Sequence, residues 1–121
     1  MTIELQENVY SIYKFSPDFI FDNSVLSDDF ISITKTKDEL SIVALQDKFT
    51  DYVNKEDGWR ILKILGVLDF NLVGVISKIS AILANEGISV FVVSTFNTDY
   101  ILVKEDNAQR ALELLKLRNI Q

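Results

Sequence analysis

Apolar residues recur at Leu72, Val75, Ile76, Ile79, Ile82 and Leu83, the spacing of one face of a 3.6-residue helix. Gly87 follows the stripe and is expected to stop the helix as a left-handed C′ residue. Asp69 or Asn71 is expected to cap its start by accepting from an orphan backbone N–H. Upstream, Trp59 to Leu65 is apolar on nearly both faces, as a central strand requires. Downstream, Ile88 to Phe96 is a strand rich in β-branched residues, and Tyr100 to Val103 is its hairpin partner. A last helix is expected from Asp106, with Gln109 three residues on as in a capping box. Its buried stripe is Ala108, Ala111, Leu112 and Leu115, and Lys116 and Arg118 complement the dipole in its last turn.

The preceding half has shorter elements. Ile3 to Leu5 and Val9 to Phe15 read as strands, separated by the interruption at Asn8. Ser16-Pro17-Asp18 is a turn signal, and one short helical turn is expected within residues 18–29. Phe30 to Thr34 and Leu40 to Leu45 form a hairpin around the polar residues 35–39. The charged stretch 46–57 reads as a loop with a short helix over residues 48–52. The two halves align in part. Phe30 to Thr34 lies over Phe91 to Thr95, and the same offset puts Asp38 over Asp99 and Leu40 over Ile101. Pro17-Asp18-Phe19 lies over Leu68-Asp69-Phe70, but the first half lacks most of the long helix that follows. Duplication is the reading, with units at residues 1–57 and 58–121. The second unit runs β-α-β-β-α and then almost stops, one strand short of βαββαβ. Ile3 to Leu5 is the candidate for the missing strand.

Composition narrows the chemistry. With 121 residues and 48% hydrophobic content, the chain has material for a core. No apolar run approaches the roughly 20 residues of a membrane span, and the first residues carry no basic n-region of a signal peptide. Cysteine and histidine are both absent, so thiolate nucleophiles, Cys-based metal sites and the commonest general base are excluded. Asp28-Asp29 alone is a poor metal site. A net charge of −6 argues against nucleic acid and anionic membrane as partners. A cytoplasmic protein is the expectation, with no catalytic residues, no metal and no cofactor. Arg60 and Asn71 invite comparison with ferredoxin-like phosphatases, but no glycine-rich phosphate cradle accompanies them.

Leu68 to Ser77, reading LDFNLVGVIS, is similar to the strand-to-helix turn of ACT domains, which are small-molecule regulatory modules. Glu86 to Thr95, reading EGISVFVVST, resembles the second strand of aspartokinase ACT modules. The tandem halves resemble small bacterial two-ACT proteins and the ACT repeats of a eukaryotic cytosolic arginine sensor. The resemblance is strong over residues 58–118 and weaker over 1–57. It implies an α+β fold: two tandem ferredoxin-like βαββαβ units side by side, with an antiparallel sheet and helices on one face. It also implies an amino acid or related metabolite held at an ACT–ACT interface. The turn would offer N–H groups to a carboxylate from Asp69, Phe70, Asn71, Leu72, Val73 and Gly74. Ile88, Ser89 and Val90 would offer carbonyls to an ammonium group. Ser94, Thr95, Asn97, Thr98 and Asp99 would line the strand end, with Asp99 the contact for a cation. Elementary physics agrees in part: a helix N-terminus attracts carboxylates, and Gly74 removes a side chain where a ligand could approach.

The pattern departs from the family where the ACT turn often carries an early glycine; here Phe70-Asn71-Leu72 is bulkier. The first half keeps Asp18-Phe19 without the helix and glycine. A plain helix cap also accounts for Asp69 to Asn71, and a solvated hairpin for residues 94–99. The alternative function is therefore a structural dimerisation or protein-interaction module without a ligand. A homodimer is expected, because sheet edges need covering, and the output of a regulatory module would pass through an unidentified protein partner or a change of oligomer.

Overall fold

The computed structural model of the chain describes residues 2–65 and 74–118. In chain order its elements are strands β1 (Thr2–Leu5) and β2 (Tyr10–Phe15), a 3-10 turn (Asn23–Ser27), and strands β3 (Ser32–Lys35), β4 (Leu40–Leu45) and β5 (Asn54–Leu65). Helix α1 (Val75–Asn85), strands β6 (Phe91–Ser94) and β7 (Asp99–Lys104), and helix α2 (Glu105–Leu117) follow. These are the elements of a mixed α/β fold with antiparallel strand pairing and two helices. They form two compact units: Val9–Gly58, and Met1–Asn8 together with Trp59–Gln121.

In the unit Val9–Gly58, β2 pairs with β4 and β4 with β3, both antiparallel. Alternation puts Tyr13 and Phe15 on one face, opposite Ile42 and Leu40 in register. Loop aromatics close over that face: Phe19 stacks on Phe15 at 4.2 Å, and Phe49 stands edge-on to both Tyr13 and Phe15 at 5.2 Å. This cluster explains why residues 48–52 form no helix, contrary to the sequence reading. Asp47 turns left-handed at φ 67°. The Lys48 amide then donates to the Tyr13 hydroxyl at 3.1 Å and to the Leu45 carbonyl at 3.1 Å. Phe49 and Tyr52 pack into the cluster, so burial of the rings sets the backbone path. The charged residues after them are likewise strand rather than loop, since β5 starts at Asn54. Their charges find partners: the buried Ser11 hydroxyl donates to the Asp57 carboxylate, and Lys55 pairs with Asp57 at 3.3 Å.

In the other unit β1 pairs antiparallel with the end of β5, from Thr2 opposite Leu65 to Leu5 opposite Leu62. The other edge of β5 pairs with β7, and β7 with β6, so the strands lie in the order β1-β5-β7-β6. The expectation that the first residues supply the missing strand is met. Arg60 fixes the exit from β1 by donating twice to the Gln6 carbonyl, at 3.0 and 2.6 Å. Ile3, Leu62, Ile64, Ile101 and Val103 share one sheet face and are buried against Ile79 and Leu83 of α1 and Ala108, Ala111 and Leu115 of α2. Ile3→Ala should therefore cost about 2–5 kcal/mol, read as a lower urea midpoint with an unchanged slope. A cost below about 0.5 kcal/mol, the level of a surface substitution, would mean that β1 contributes nothing to the unit.

The stop of α1 follows the sequence reading. Gly87 sits at φ 73°, its amide donates to Ala84 O at 3.0 Å, and the Ile88 amide to Leu83 O at 2.9 Å. This is a Schellman motif with the C″–C3 pair Ile88 and Leu83 both buried. The starts of the helices differ from it. The cap position of α1 is Gly74, with no side-chain cap; the expected caps Asp69 and Asn71 lie outside the described residues. Helix α2 starts at Glu105 after Lys104, again without a side-chain cap. Gln109 reaches forward to Glu113 at 3.5 Å instead of back to a cap.

Candidate functional site

Strand β6 begins only at Phe91, because Ile88 is used in the cap of α1, and it ends at Ser94. Beyond Ser94 the chain folds on itself: the Thr95 amide donates to the Thr98 carbonyl at 2.8 Å, and the Thr95 hydroxyl to the same oxygen at 2.9 Å. The Thr98 amide returns to the Thr95 hydroxyl at 3.3 Å. Ser94 then pairs with Asp99 and the hairpin closes. Thr98 is buried and its hydroxyl donates to the Ile64 carbonyl at 2.8 Å. The hairpin tip is thereby tied to the C-terminal end of β5, the strand that leads into residues 66–73. Sequence reasoning identified Thr98 as polar but not this bond, which needs the strand order to be seen.

The register decides which expected site residues meet. Phe91 and Ile61 both face Leu102, so β6 runs parallel to β5. A helix joining the end of one to the start of the other must run back along the sheet, about 16 Å for the length of α1. Gly74, at its start, therefore belongs to the end of the sheet that carries Ser94, Thr95, Asn97, Thr98 and Asp99. Ile88, Ser89 and Val90 belong to the opposite end, about 10 Å or more away along β6. Within one unit these two groups are not brought together. Asp69, Phe70, Asn71, Leu72 and Val73 lie outside the described residues.

Side-chain environments separate the residues further. Gly74 is exposed, at φ 83°, and a Cβ there would meet no described atom within 4 Å. Its backbone conformation, rather than a close neighbour, is what calls for glycine. Ile88 is buried and Val90 packs on the core, so each offers a ligand main chain only. Ser89, Ser94 and Asn97 are exposed. Asp99 is half-buried, and its carboxylate has no hydrogen bond or ion pair among the described residues. Beside it, the Lys63 ammonium lies 5.8 Å from the centre of the Tyr100 ring. Phe96, 79% exposed at the tip, was not singled out from the sequence. No group of metal-ligating side chains occurs among the described residues.

The sequence model of the ACT domain matches residues 54–116, from the start of β5 almost to the end of α2. The chain belongs to the ACT domain family. A second model, of an N-terminal domain, matches residues 9–51. The human cytosolic arginine sensor for mTORC1 subunit 1 is 39% identical over 61 residues, which are 50% of this chain and 18% of that protein. The chain thus matches less than a fifth of the length of that curated relative. The crystal structure of a protein from Agrobacterium tumefaciens superposes with a TM-score of 0.83 at 32% identity, over 94% of this chain and 85% of that one. The ligand-free regulatory subunit of aspartate kinase from Thermus thermophilus shares the fold, with a TM-score of 0.67 over 97% of both chains at 12% identity. The chain thus carries an ACT domain and shares its fold with aspartokinase chains. No described helix is long and apolar enough to cross a membrane.

Proposed function

We propose that this chain is a cytoplasmic regulatory module that binds an amino acid or a related metabolite where one ACT unit meets another, within a homodimer. It works without catalysis of its own and passes its ligand state to a protein partner. The observation that carries this reading is the hairpin tip. Thr98 ties it to the end of β5, so the Asp99 carboxylate, unpaired among the described residues, stands at the end of the sheet where α1 begins. A ligand ammonium would pair with Asp99, and its carboxylate would meet the N-terminus of α1, which no side chain of the described residues caps. Ile88 to Val90, at the far end of the sheet, would act as the facing strand of a neighbouring unit. The ligand class rests on the relatives, one named as an arginine sensor and another as the regulatory subunit of an aspartate kinase.

We further read the chain as two ferredoxin-like units in tandem. In each unit the first long strand neighbours the second strand of a hairpin: β2-β4-β3 in one, β5-β7-β6 in the other. Where the second has α1, the first has only the 3-10 turn Asn23–Ser27.

Thermal melts against each of the twenty amino acids test the binding. A ligand at 100 times its Kd adds about 2.7 kcal/mol, a rise of several degrees for a chain of this size. Asp99→Ala should cancel the rise while changing the unliganded midpoint little, as surface substitutions do. No rise with any amino acid up to millimolar concentration would favour the alternative, a structural dimerisation or interaction module. The exposed Phe96 at the end of edge strand β6 is the observation that favours that reading.

A further inference from the structure

The face of β2 and β4 that turns away from the aromatic cluster holds a groove of about 280 Å³. Its lining lies wholly within residues 9–58 and shares no residue with the hairpin tip or α1. Ile12, Lys14, Glu39 and Ser41 line it together with Asn54, Lys55 and Glu56 at the start of β5. Ser41 is directly opposite Lys14 in the β2–β4 register. The Val53 amide donates to the Lys14 carbonyl at 2.7 Å and brings the start of β5 alongside.

The charges in this groove are arranged unusually. A cross-strand Lys–Glu pair on an exposed sheet would close on itself. Here Lys14 faces a serine, and its ammonium has no ion pair among the described residues. The Glu39 carboxylate lines the same groove and is likewise unpaired among them. The second cation, Lys55, is occupied by Asp57 at 3.3 Å. Burial pulls the Lys55 pKa down, but the Asp57 carboxylate more than reverses this and holds it above its usual value. Among the described residues the groove therefore presents Lys14 and Glu39 without an ion pair, beside the apolar Ile12, while its second carboxylate, Glu56, is engaged. The Asn54 side-chain oxygen is engaged by the Lys55 amide at 2.8 Å, which leaves its NH₂ to donate.

We propose that this groove is a second binding site, for a small dipolar ligand whose carboxylate meets Lys14 and whose ammonium meets Glu39. Charge-assisted hydrogen bonds at both ends would fix its orientation, and the volume, at the low end for ligand pockets, suits a free amino acid rather than a peptide.

Amide-resolved NMR titration of the whole chain tests this. The probes are the twenty amino acids, then the N-acetyl and the amide derivative of the best of them. Saturable shifts are expected at Lys14, Ser41 and Lys55, and each singly charged derivative should bind at least about tenfold more weakly. Lys14→Ala and Glu39→Gln should each weaken binding by a similar factor; both residues have accessible side chains, so both variants should fold. The proposal is overturned if no amino acid shifts these amides at 10-millimolar levels (about 10 mM), if the derivatives bind as well as the parent, or if the substitutions leave the titration unchanged. Shifts confined to Gly74 and Thr95 to Asp99 would overturn it while supporting the ligand site of the ACT module.

Discussion

Ile79→Asp should leave no folded second unit at room temperature. Ile79 is 1% exposed, between the sheet residues Leu62, Ile64 and Ile101 and the α2 residues Ala108 and Ala111. Among the described residues, no cationic side chain belongs to that cluster. An aspartate there either carries an unpaired charge into the core or takes up a proton to avoid it. The substitution adds the cavity left by isoleucine to the desolvation of a carboxyl group, each costing several kcal/mol. A domain's total stability is about 5–15 kcal/mol, so the sum removes most or all of it. Loss of helical signal in far-UV circular dichroism at 25 °C is the expected readout. A folded, soluble Ile79→Asp protein would place the polar face of α1 where the core is now assigned.

Phe15→Ala should be the most damaging truncation in the other unit, at about 3–5 kcal/mol. The ring of Phe15 is fully buried and meets those of Tyr13, Phe19 and Phe49 with centres 4.2 to 6.0 Å away. This unit has no long helix to cover its sheet, so the rings do the covering. Removing the central one also removes the reason for the path of residues 46–53. The near-UV circular dichroism of the aromatic residues should fall with the urea midpoint. A cost under about 1 kcal/mol would mean that the loops hold their place without the cluster.

These two residues also mark what the sequence makes legible. Ile79 belongs to a stripe with a helical period, and a period survives without knowledge of partners: α1, its glycine stop and the β6–β7 hairpin are all visible in the residues. Residues 46–58 are not. There, Phe49 and Tyr52 take their conformation from Tyr13 and Phe15, more than 30 residues earlier. Asp57 and Lys55 are strand residues because their charges are satisfied across the sheet and along it. Local propensity holds no record of such partners. The candidate site divides in the same way. The polar residues from Ser94 to Asp99 are evident as a cluster, whereas the bond from Thr98 to Ile64 follows only from strand order. The groove at Lys14 was missed because its residues come from three separate stretches, each of which alone reads as a solvated strand face.

The position of β1 has a consequence for synthesis. The unit built around α1 is written in two pieces, with the whole of the other unit between them. A growing chain therefore makes the Val9–Gly58 unit complete while β1 still waits for β5, β7 and both helices. When β1 finally pairs with β5, it closes a loop of more than 50 residues, running from Leu5 to Leu62. An unstructured loop of that length carries a large closure entropy; one already folded into a compact unit has paid most of it. The early unit thus acts as an internal splint, and damage to its aromatic cluster should slow assembly of a unit that shares none of those rings.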